Sequence, residues 1–269
     1  MSSSVEGTQL QPMSPVPTGR ALVKSKRHVI VTRPEADAPN LVKAIEAAGM
    51  CAVSSPLMTI ARNDHDVDLT GAAALAFTSA NGVRAFIEKS SVRHIPTFAV
   101  GKATASAAKS AGFDRVYVAG GDVSTLANLI AELYGVETKI GTVVHLAGTR
   151  RAGDLVFELE SLSIPAARAV IYDATPVGTL SDRALDIIDA ADTLDKPPMV
   201  ALFSPRTARL FVDAIRAVGR FDRISELTAA CLSDAVAQQA KAAVGSQHWR
   251  GYLVAEEPDA SSLIDAMKR

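Results

Sequence analysis

Residues 76–86 read AFTSANGVRAF, and residues 201–211 read ALFSPRTARLF. In both stretches a short apolar run ends at a serine, Ser79 or Ser204, and a helical pattern follows. A serine in front of a helix accepts a hydrogen bond from a free backbone N–H, so each stretch predicts a buried strand and then a capped helix. The chain therefore contains two copies of one strand–helix unit. This repeat predicts two similar lobes with a ligand held between them.

The same alternation of strand and helix patterns runs through most of the chain. It is typical of parallel sheets that are covered by helices on both faces. The sequence thus predicts an α/β protein with two similar lobes, each a parallel sheet flanked by helices. Strands are predicted at 29–31, 75–77, 98–100, 116–118, 142–144, 200–203, 229–232 and 252–254, with helices between them, among others at 35–48, 125–134 and 152–162.

Length, charge and cysteine content limit the class of protein. The chain has 269 residues and a formal net charge of −1, which does not produce the basic surface typical of nucleic-acid binding. Its two cysteines, Cys51 and Cys231, lie far apart in apolar surroundings, so we expect a reducing cytoplasm and no disulfide framework. No apolar stretch approaches the roughly 18 residues that span a bilayer. Residues 1–27 predict a disordered tail without the apolar region of a secretory signal.

Several blocks of the sequence, in their order and spacing, resemble the uroporphyrinogen-III synthase family. Residues 29–35 (VIVTRPE) resemble its opening strand and turn, and residues 77–83 (FTSANGV) resemble its central block. Residues 169–172 (AVIY), followed by Pro176, resemble its mid-chain tyrosine segment. The resemblance extends over residues 28–269.

The resemblance implies flavodoxin-like lobes that are joined by a two-stranded connector. One lobe would combine residues 28–51 with 177–269, the other would contain residues 61–167, and residues 52–60 and 168–176 would form the connector. From the residues alone, a single split near position 140 fits almost as well. The crossover between lobes therefore depends on the resemblance.

The loops that follow the parallel strands carry the candidate binding residues. Such loops meet at the carboxyl edge of a sheet, and the helices that begin there expose backbone N–H groups suited to carboxylates. The resemblance implies a substrate with eight carboxylate side arms. The alternative for each Ser or Thr is simple helix capping, and for each Arg a solvated surface position. The substrate-binding candidates are Arg33, Ser79, Asn81, Gly101, Thr104, Ser204 and Ser233, with Lys102, Arg150, Arg151 and Arg206 as further cations.

Tyr172 matches the tyrosine position of the family and is the candidate catalytic residue. A phenol can donate a hydrogen bond to a leaving hydroxyl group without being deprotonated. The alternative is a half-buried aromatic side chain in a connector strand.

The resemblance implies cyclisation of hydroxymethylbilane to uroporphyrinogen III, with loss of water and inversion of the last pyrrole ring through a spiro intermediate. This would make the protein a hydro-lyase of porphyrin, tetrapyrrole and heme biosynthesis, EC 4.2.1.75. We expect no cofactor and no metal, because the chain has no glycine-rich nucleotide motif and its histidines lack metal-ligand spacing. We expect a cytoplasmic monomer that receives hydroxymethylbilane by hand-over from the preceding pathway enzyme and binds neither nucleic acid nor membrane.

Two alternatives stay open from the sequence. A two-lobed protein of the periplasmic-binding type would bind an anion or small ligand without catalysis, although no secretion signal supports it. A synthase relative that has lost activity is the other alternative, because the later copy of the repeat has Ser233 and Val236 where the earlier copy has Gly101 and Thr104. An assay that separates product isomers I and III distinguishes these cases.

Overall fold

The computed structural model describes residues 22–23, 25–63, 66–150 and 153–269. Of the predicted tail, residues 1–21 and 24 lie outside the described residues. Within the described residues the chain forms eleven strands and nine α-helices. The strands are β1 (His28–Val31), β2 (Cys51–Ser54), β3 (Met58–Arg62), β4 (Ala72–Phe77), β5 (Thr97–Ala99), β6 (Val116–Val118), β7 (Thr142–Gly148), β8 (Ala166–Pro176), β9 (Met199–Leu202), β10 (Thr228–Cys231) and β11 (Gly251–Val254). The helices are α1 (Ala38–Ala47), α2 (Ala80–Lys89), α3 (Lys102–Ser110), α4 (Val123–Leu133), α5 (Leu155–Ser161), α6 (Asp182–Asp189), α7 (Pro205–Ala217), α8 (Asp234–Val244) and α9 (Ala260–Lys268).

The strands form two sheets, and each sheet is the centre of one lobe. In the first sheet the order is β11–β10–β9–β1–β2, and all neighbouring strands are parallel. In the second sheet the order is β3–β8–β7–β4–β5–β6, and only β3 runs antiparallel to its neighbour. The predicted α/β class with two parallel-sheet lobes is confirmed.

The two sheets share one layout. Counted in chain order, the first sheet has the 2-1-3-4-5 order of flavodoxin-like folds. The second sheet, apart from its edge strand β3, has the same layout, but the chain enters it at a different strand. Strands β4, β5 and β6 correspond to β9, β10 and β11. Strands β7 and β8 correspond to β1 and β2. The quoted repeat falls on β4–α2 and β9–α7, and its equivalent helix phenylalanines, Phe86 and Phe211, are both fully buried.

The chain passes between the two sheets at residues 55–57 and again after Pro176. Pro56 has no N–H for a strand ladder, so β2 ends before it and the chain turns into β3. Met58 pairs with Pro176 and Arg62 pairs with Tyr172, so β3 extends the edge of the second sheet. The lobe and connector bounds taken from the sequence stay a prediction.

Helix α1 begins at Ala38 rather than at the predicted Glu35. Pro39 is the reason, since proline is tolerated only in the first turn of a helix. The N–H groups of Asp37 and Ala38 both donate to the carbonyl oxygen of Pro34, which closes a turn in front of the helix. This turn carries the side chain of Asp37 to the second lobe, where Arg84 lies 3.0 Å away.

Helices cover both faces of each sheet, and the apolar side chains between them form four cores. The packing leaves the loops at the carboxyl edges of the strands free to form a binding surface. No helix in the described part of the chain combines the length and the apolar character needed to cross a membrane.

Candidate functional site

A cleft of about 730 Å³ lies at the carboxyl edges of the two sheets. Sites for small molecules usually have volumes of about 300–1,000 Å³. The loops after β4 and β7 line it, and these strands flank the point where the strand order of the second sheet reverses. The first lobe contributes Ser204, the start of α7 as far as Arg209, and Gln239 of α8. The cleft therefore lies where a doubly wound sheet is expected to bind its ligand.

Tyr172 lies on β8 in the wall of this cleft, and its exposed fraction is 8%. Burial raises the pKa of its phenol, while the hydrogen bond with Ser79 and the charges of Arg206, Arg168 and Arg84 act in the opposite direction. The phenol therefore keeps its proton at neutral pH. It is available as a hydrogen-bond donor to a ligand.

Ser79 and Ser204 cap their helices and also line the cleft. The hydroxyl of Ser79 accepts a hydrogen bond from the N–H of Asn81 at 3.1 Å, and the hydroxyl of Ser204 accepts one from the N–H of Thr207 at 3.1 Å. The two predicted caps are thus confirmed. A cap at the rim of a cleft places both its hydroxyl and the free N–H groups of the first helical turn beside a ligand.

Positive charge exceeds negative charge among the residues that line the cleft. The two carboxylates are used as helix caps: Asp122 accepts from the N–H of Thr125 at 2.9 Å, and Asp154 accepts from the N–H of Phe157 at 3.3 Å. A concave surface with excess positive charge attracts anions. The cations are Arg150, Arg168, Arg206 and Arg209.

Arg206 joins the two lobes at the cleft. Its Nη2 donates a hydrogen bond to the carbonyl oxygen of Ala174 on β8 at 2.7 Å. Burial, and then the neighbouring charge of Arg150, lower the pKa of the Arg206 guanidinium from its very high ordinary value. Two like charges held this close are stabilised when a carboxylate binds beside them. Arg206 and Arg150 together form the strongest candidate for a carboxylate subsite.

His145 also lines the cleft, and the sequence analysis did not identify it. It lies on β7 with an exposed fraction of 7%, and its Nε2 is 3.1 Å from Oγ1 of Thr78. Burial, supported by the charge of Arg168, lowers the pKa of the imidazole to about 4. His145 is therefore neutral near pH 7. The only sequence signal was a histidine inside the apolar strand TVVHLAG at residues 142–148.

The predicted site residues divide into two groups. Tyr172, Ser79, Asn81 and Ser204 line the cleft, whereas the remaining four lie outside its lining. In this second group the structure places Arg33 beside Asp37 at 3.5 Å and over the ring of Phe203, Thr104 in the interior, and Gly101 and Ser233 at the starts of α3 and α8.

Gly101 and Ser233 still repeat the backbone geometry of the two serine caps. Their φ angles are −157° and −159°, against −157° for both Ser79 and Ser204. Ser79 and Ser204 are equivalent points of the repeat, and so are Gly101 and Ser233. The substrate-binding roles of all seven residues stay predictions.

Two further expectations concern cations and metals. Lys102 is an exposed side chain 3.9 Å from Asp259 of the other lobe, and Arg151 lies outside the described residues. In the parts of the chain that the structure describes, no three His, Cys, Asp or Glu side chains lie close enough together to hold a metal ion.

Comparisons with known proteins agree on one family. The family model described as "Uroporphyrinogen-III synthase HemD" matches residues 39–265. A curated uroporphyrinogen-III synthase from Chlorobaculum parvum (strain DSM 263 / NCIMB 8327) is 25% identical over 198 residues, which cover 70% of this chain and 78% of that protein.

Two solved structures share the fold. The crystal structure of uroporphyrinogen-III synthetase from Helicobacter pylori 26695 has a TM-score of 0.59 at 16% identity, covering 90% of this chain and 98% of that one. A mutant uroporphyrinogen III synthase from the extremely thermophilic bacterium Thermus thermophilus has a TM-score of 0.53 at 14% identity, with the same coverage of 90% and 98%.

Proposed function

The chain belongs to the uroporphyrinogen-III synthase family, and we propose that it closes hydroxymethylbilane to uroporphyrinogen III in the cleft between its two lobes. The family is the lyase class EC 4.2.1.75 of porphyrin and heme biosynthesis. In the proposed reaction, water leaves from the terminal hydroxymethyl group, and the last pyrrole ring is inverted as the macrocycle closes.

The observation that carries the proposal is a protonated, buried tyrosine in a cleft lined by four arginines. The substrate is a polycarboxylate whose reaction begins with the loss of a hydroxyl group. Tyr172 donates a hydrogen bond to the departing hydroxyl, and Ser79 orients the phenol. Arg150 and Arg206 hold carboxylate arms from opposite lobes, assisted by the helix N-termini at Ser79 and Ser204.

The main task of the protein is to control conformation. A linear tetrapyrrole with a reactive end closes spontaneously without inversion. The enzyme must therefore hold both ends and present a carbon of the last ring different from the one that reacts spontaneously. Holding the reacting atoms in one geometry and excluding water favours one closure over another. A cleft between two lobes, with donors on each, supports this task.

The finer assignments belong to the same proposal. The enzyme acts as a cytoplasmic monomer and takes hydroxymethylbilane directly from the preceding pathway enzyme, since the free substrate closes to the wrong isomer. The predicted lobe bounds, 28–51 with 177–269 against 61–167, allow the two lobes to move about the connector segments 52–60 and 168–176.

A coupled assay tests the function. Hydroxymethylbilane is generated enzymatically, the protein is added, and the oxidised products are separated into isomers I and III. We expect isomer III, with undiminished yield after exhaustive chelation. The same mixture without the protein supplies the spontaneous yield of isomer I. Isomer I alone, formed at the spontaneous rate, would instead identify a binding protein or an inactive relative.

A further inference from the structure

Asp37 occupies the position in front of α1 where an aspartate usually caps the helix, yet it makes no capping hydrogen bond. Its carboxylate instead lies between two guanidinium groups. Nη2 of Arg84, on α2 of the second lobe, is 3.0 Å from Oδ1, and Nη2 of Arg33, in the same lobe as Asp37, is 3.5 Å from Oδ2. The side chain of Asp37 is only 14% exposed. This carboxylate is therefore committed to a contact between the lobes rather than to its own helix.

Arg84 continues this contact toward the cleft. The same Nη2 that faces Asp37 also donates to Oδ1 of Asn81, one helical turn earlier. The N–H of Asn81 donates to the hydroxyl of Ser79. Ser79 lines the cleft beside Tyr172 and acts on its phenol by lowering the pKa. A series of polar interactions thus leads from the first lobe to the proposed catalytic group.

The charge of Arg84 also reaches Tyr172. It is one of the cations that oppose the effect of burial on the pKa of the phenol. Because Asp37 holds Arg84 in place, the strength of this effect depends on the contact between the lobes. The contacts of Arg84 and its charge therefore both connect Tyr172 to the contact between the lobes.

We propose that Asp37 and Arg84 are positioning residues that couple contact between the lobes to the placement of Ser79 and Tyr172. The inference rests on the proposed function, since it assigns a purpose to Tyr172 in that reaction. When the lobes are in contact, Arg84 is anchored at both ends and Asn81 is held against the Ser79 turn. When the lobes separate, Arg84 loses its ion pair with Asp37, and Asn81 is no longer held against the Ser79 turn. The tyrosine is then fully aligned only in a closed cleft, where the bound substrate is kept from closing without inversion.

A double-mutant cycle separates this role from that of an ordinary surface ion pair. We expect Arg84→Met to lower kcat about ten-fold, with KM changed less than two-fold. The loss should be smaller than the roughly 10²–10⁴-fold of direct proton-transfer assistance, because Arg84 acts through other residues. In a Tyr172→Phe background the same change should alter kcat less than two-fold, because residues in one network are not additive. Equal losses of kcat in both backgrounds would overturn the proposal.

Arg220→Met is the matched control. Arg220 pairs with Asp189 at 2.6 Å, but the pair is exposed, lies within the first lobe and is outside the cleft lining. We expect its kcat to stay within two-fold of the wild type. A loss equal to that of Arg84→Met would mean that breaking any arginine–aspartate pair has this effect, and would overturn the proposal.

A second readout does not depend on activity. The protein has four tyrosines, and labelling them with ¹³C at Cζ gives a resonance for Tyr172 that is identified by its absence in Tyr172→Phe. We expect Asp37→Asn and Arg84→Met to shift this resonance and Arg220→Met to leave it in place. An unshifted resonance in both variants overturns the coupling. A wild-type protein that makes no isomer III overturns the proposed function instead, and the spectra still report on the coupling.

Discussion

A Cβ atom added to Gly148 would lie 2.7 Å from both Cε2 and Cζ of Tyr172 and 3.1 Å from its hydroxyl oxygen. The two residues are paired across β7 and β8, immediately after an irregularity in the register. The ring of Tyr172 therefore occupies the space that any side chain at position 148 would need. Glycine at this position fixes the direction in which the phenol enters the cleft.

Gly148→Ala should displace the tyrosine and lower kcat about ten-fold or more. Contacts of 2.7 Å cannot be retained, and overpacking of this kind costs about 1–3 kcal/mol of the free energy of unfolding. Steady-state kinetics and urea unfolding measure the two effects. Gly251→Ala is the control, since a Cβ at this strand glycine of the first lobe meets its nearest atom only at 4.0 Å. Unchanged kcat in Gly148→Ala would show that the position of the ring does not matter for turnover.

Tyr172→Phe should lower turnover while the fold stays intact. The ring is kept, so the free energy of unfolding should change by less than about 1 kcal/mol, the value of one ordinary hydrogen bond. Removing a proton-donating group typically lowers kcat about 10²–10⁴-fold. Because backbone donors share this role with Tyr172, we expect kcat to fall about ten-fold or more. The product ratio should shift toward isomer I, because slower enzymatic closure lets the spontaneous reaction compete. Tyr252→Phe, on β11 outside the cleft lining, should keep the wild-type ratio. A Tyr172→Phe enzyme with full turnover and unchanged isomer III would return Tyr172 to a structural role.

Much of the fold follows from local patterns in the sequence. Buried apolar runs predicted the strands, and the serine caps at Ser79 and Ser204 marked the starts of two helices because a cap is a contact between neighbours in the chain. The start of α1 was missed because Pro39 was overlooked, although its effect is also local. The repeat of residues 76–86 in 201–211 matched β4 to β9. It did not match β7 to β1, because the equivalent strands occur in a different order along the chain.

The site was less accessible to sequence reasoning, and the reason is physical. The serines were found because they lie in recognisable local contexts, whereas Tyr172 was found from the family resemblance. The contact of Arg206 with Ala174 and that of Asp37 with Arg84 depend on how two lobes meet, and no local pattern encodes that arrangement. His145 was missed because a single histidine in an apolar strand has no periodic signature.

Arg206→Met should weaken substrate binding more than it slows the chemical step. A hydrogen bond to a charged group contributes about 1.5–3 kcal/mol, so KM should rise at least about ten-fold. The rise should be larger at low than at high ionic strength, because salt screens partly exposed charges. KM measured at two salt concentrations checks this. Arg223→Met serves as the control, since Arg223 pairs with Asp192 at 3.1 Å in the first lobe, outside the cleft lining. A KM that is unchanged at both salt concentrations would remove Arg206 from the carboxylate subsite.

Replacing His145 should remove a component of the acid sensitivity of the fold. Burial lowers the pKa of His145 to about 4 in the folded protein, against 6.5 for an ordinary histidine. Between these values the unfolded chain binds a proton that the folded protein does not, so the free energy of unfolding falls as the pH decreases from 6.5 to 4. The difference of the two pKa values corresponds to about 3 kcal/mol over this interval.

The variant His145→Leu isolates this component. It also loses the contact with Thr78, but that loss is the same at every pH and cancels in the slope. We expect urea unfolding at pH 7, 6, 5 and 4 to show a smaller decrease for His145→Leu than for the wild type, by about 3 kcal/mol in total. His248→Gln, which changes an exposed histidine, should retain the wild-type slope. Parallel curves for wild type and His145→Leu would mean that the imidazole is protonated in the folded protein as readily as in the unfolded chain. His145 would then not be the neutral group in the cleft wall that its burial indicates.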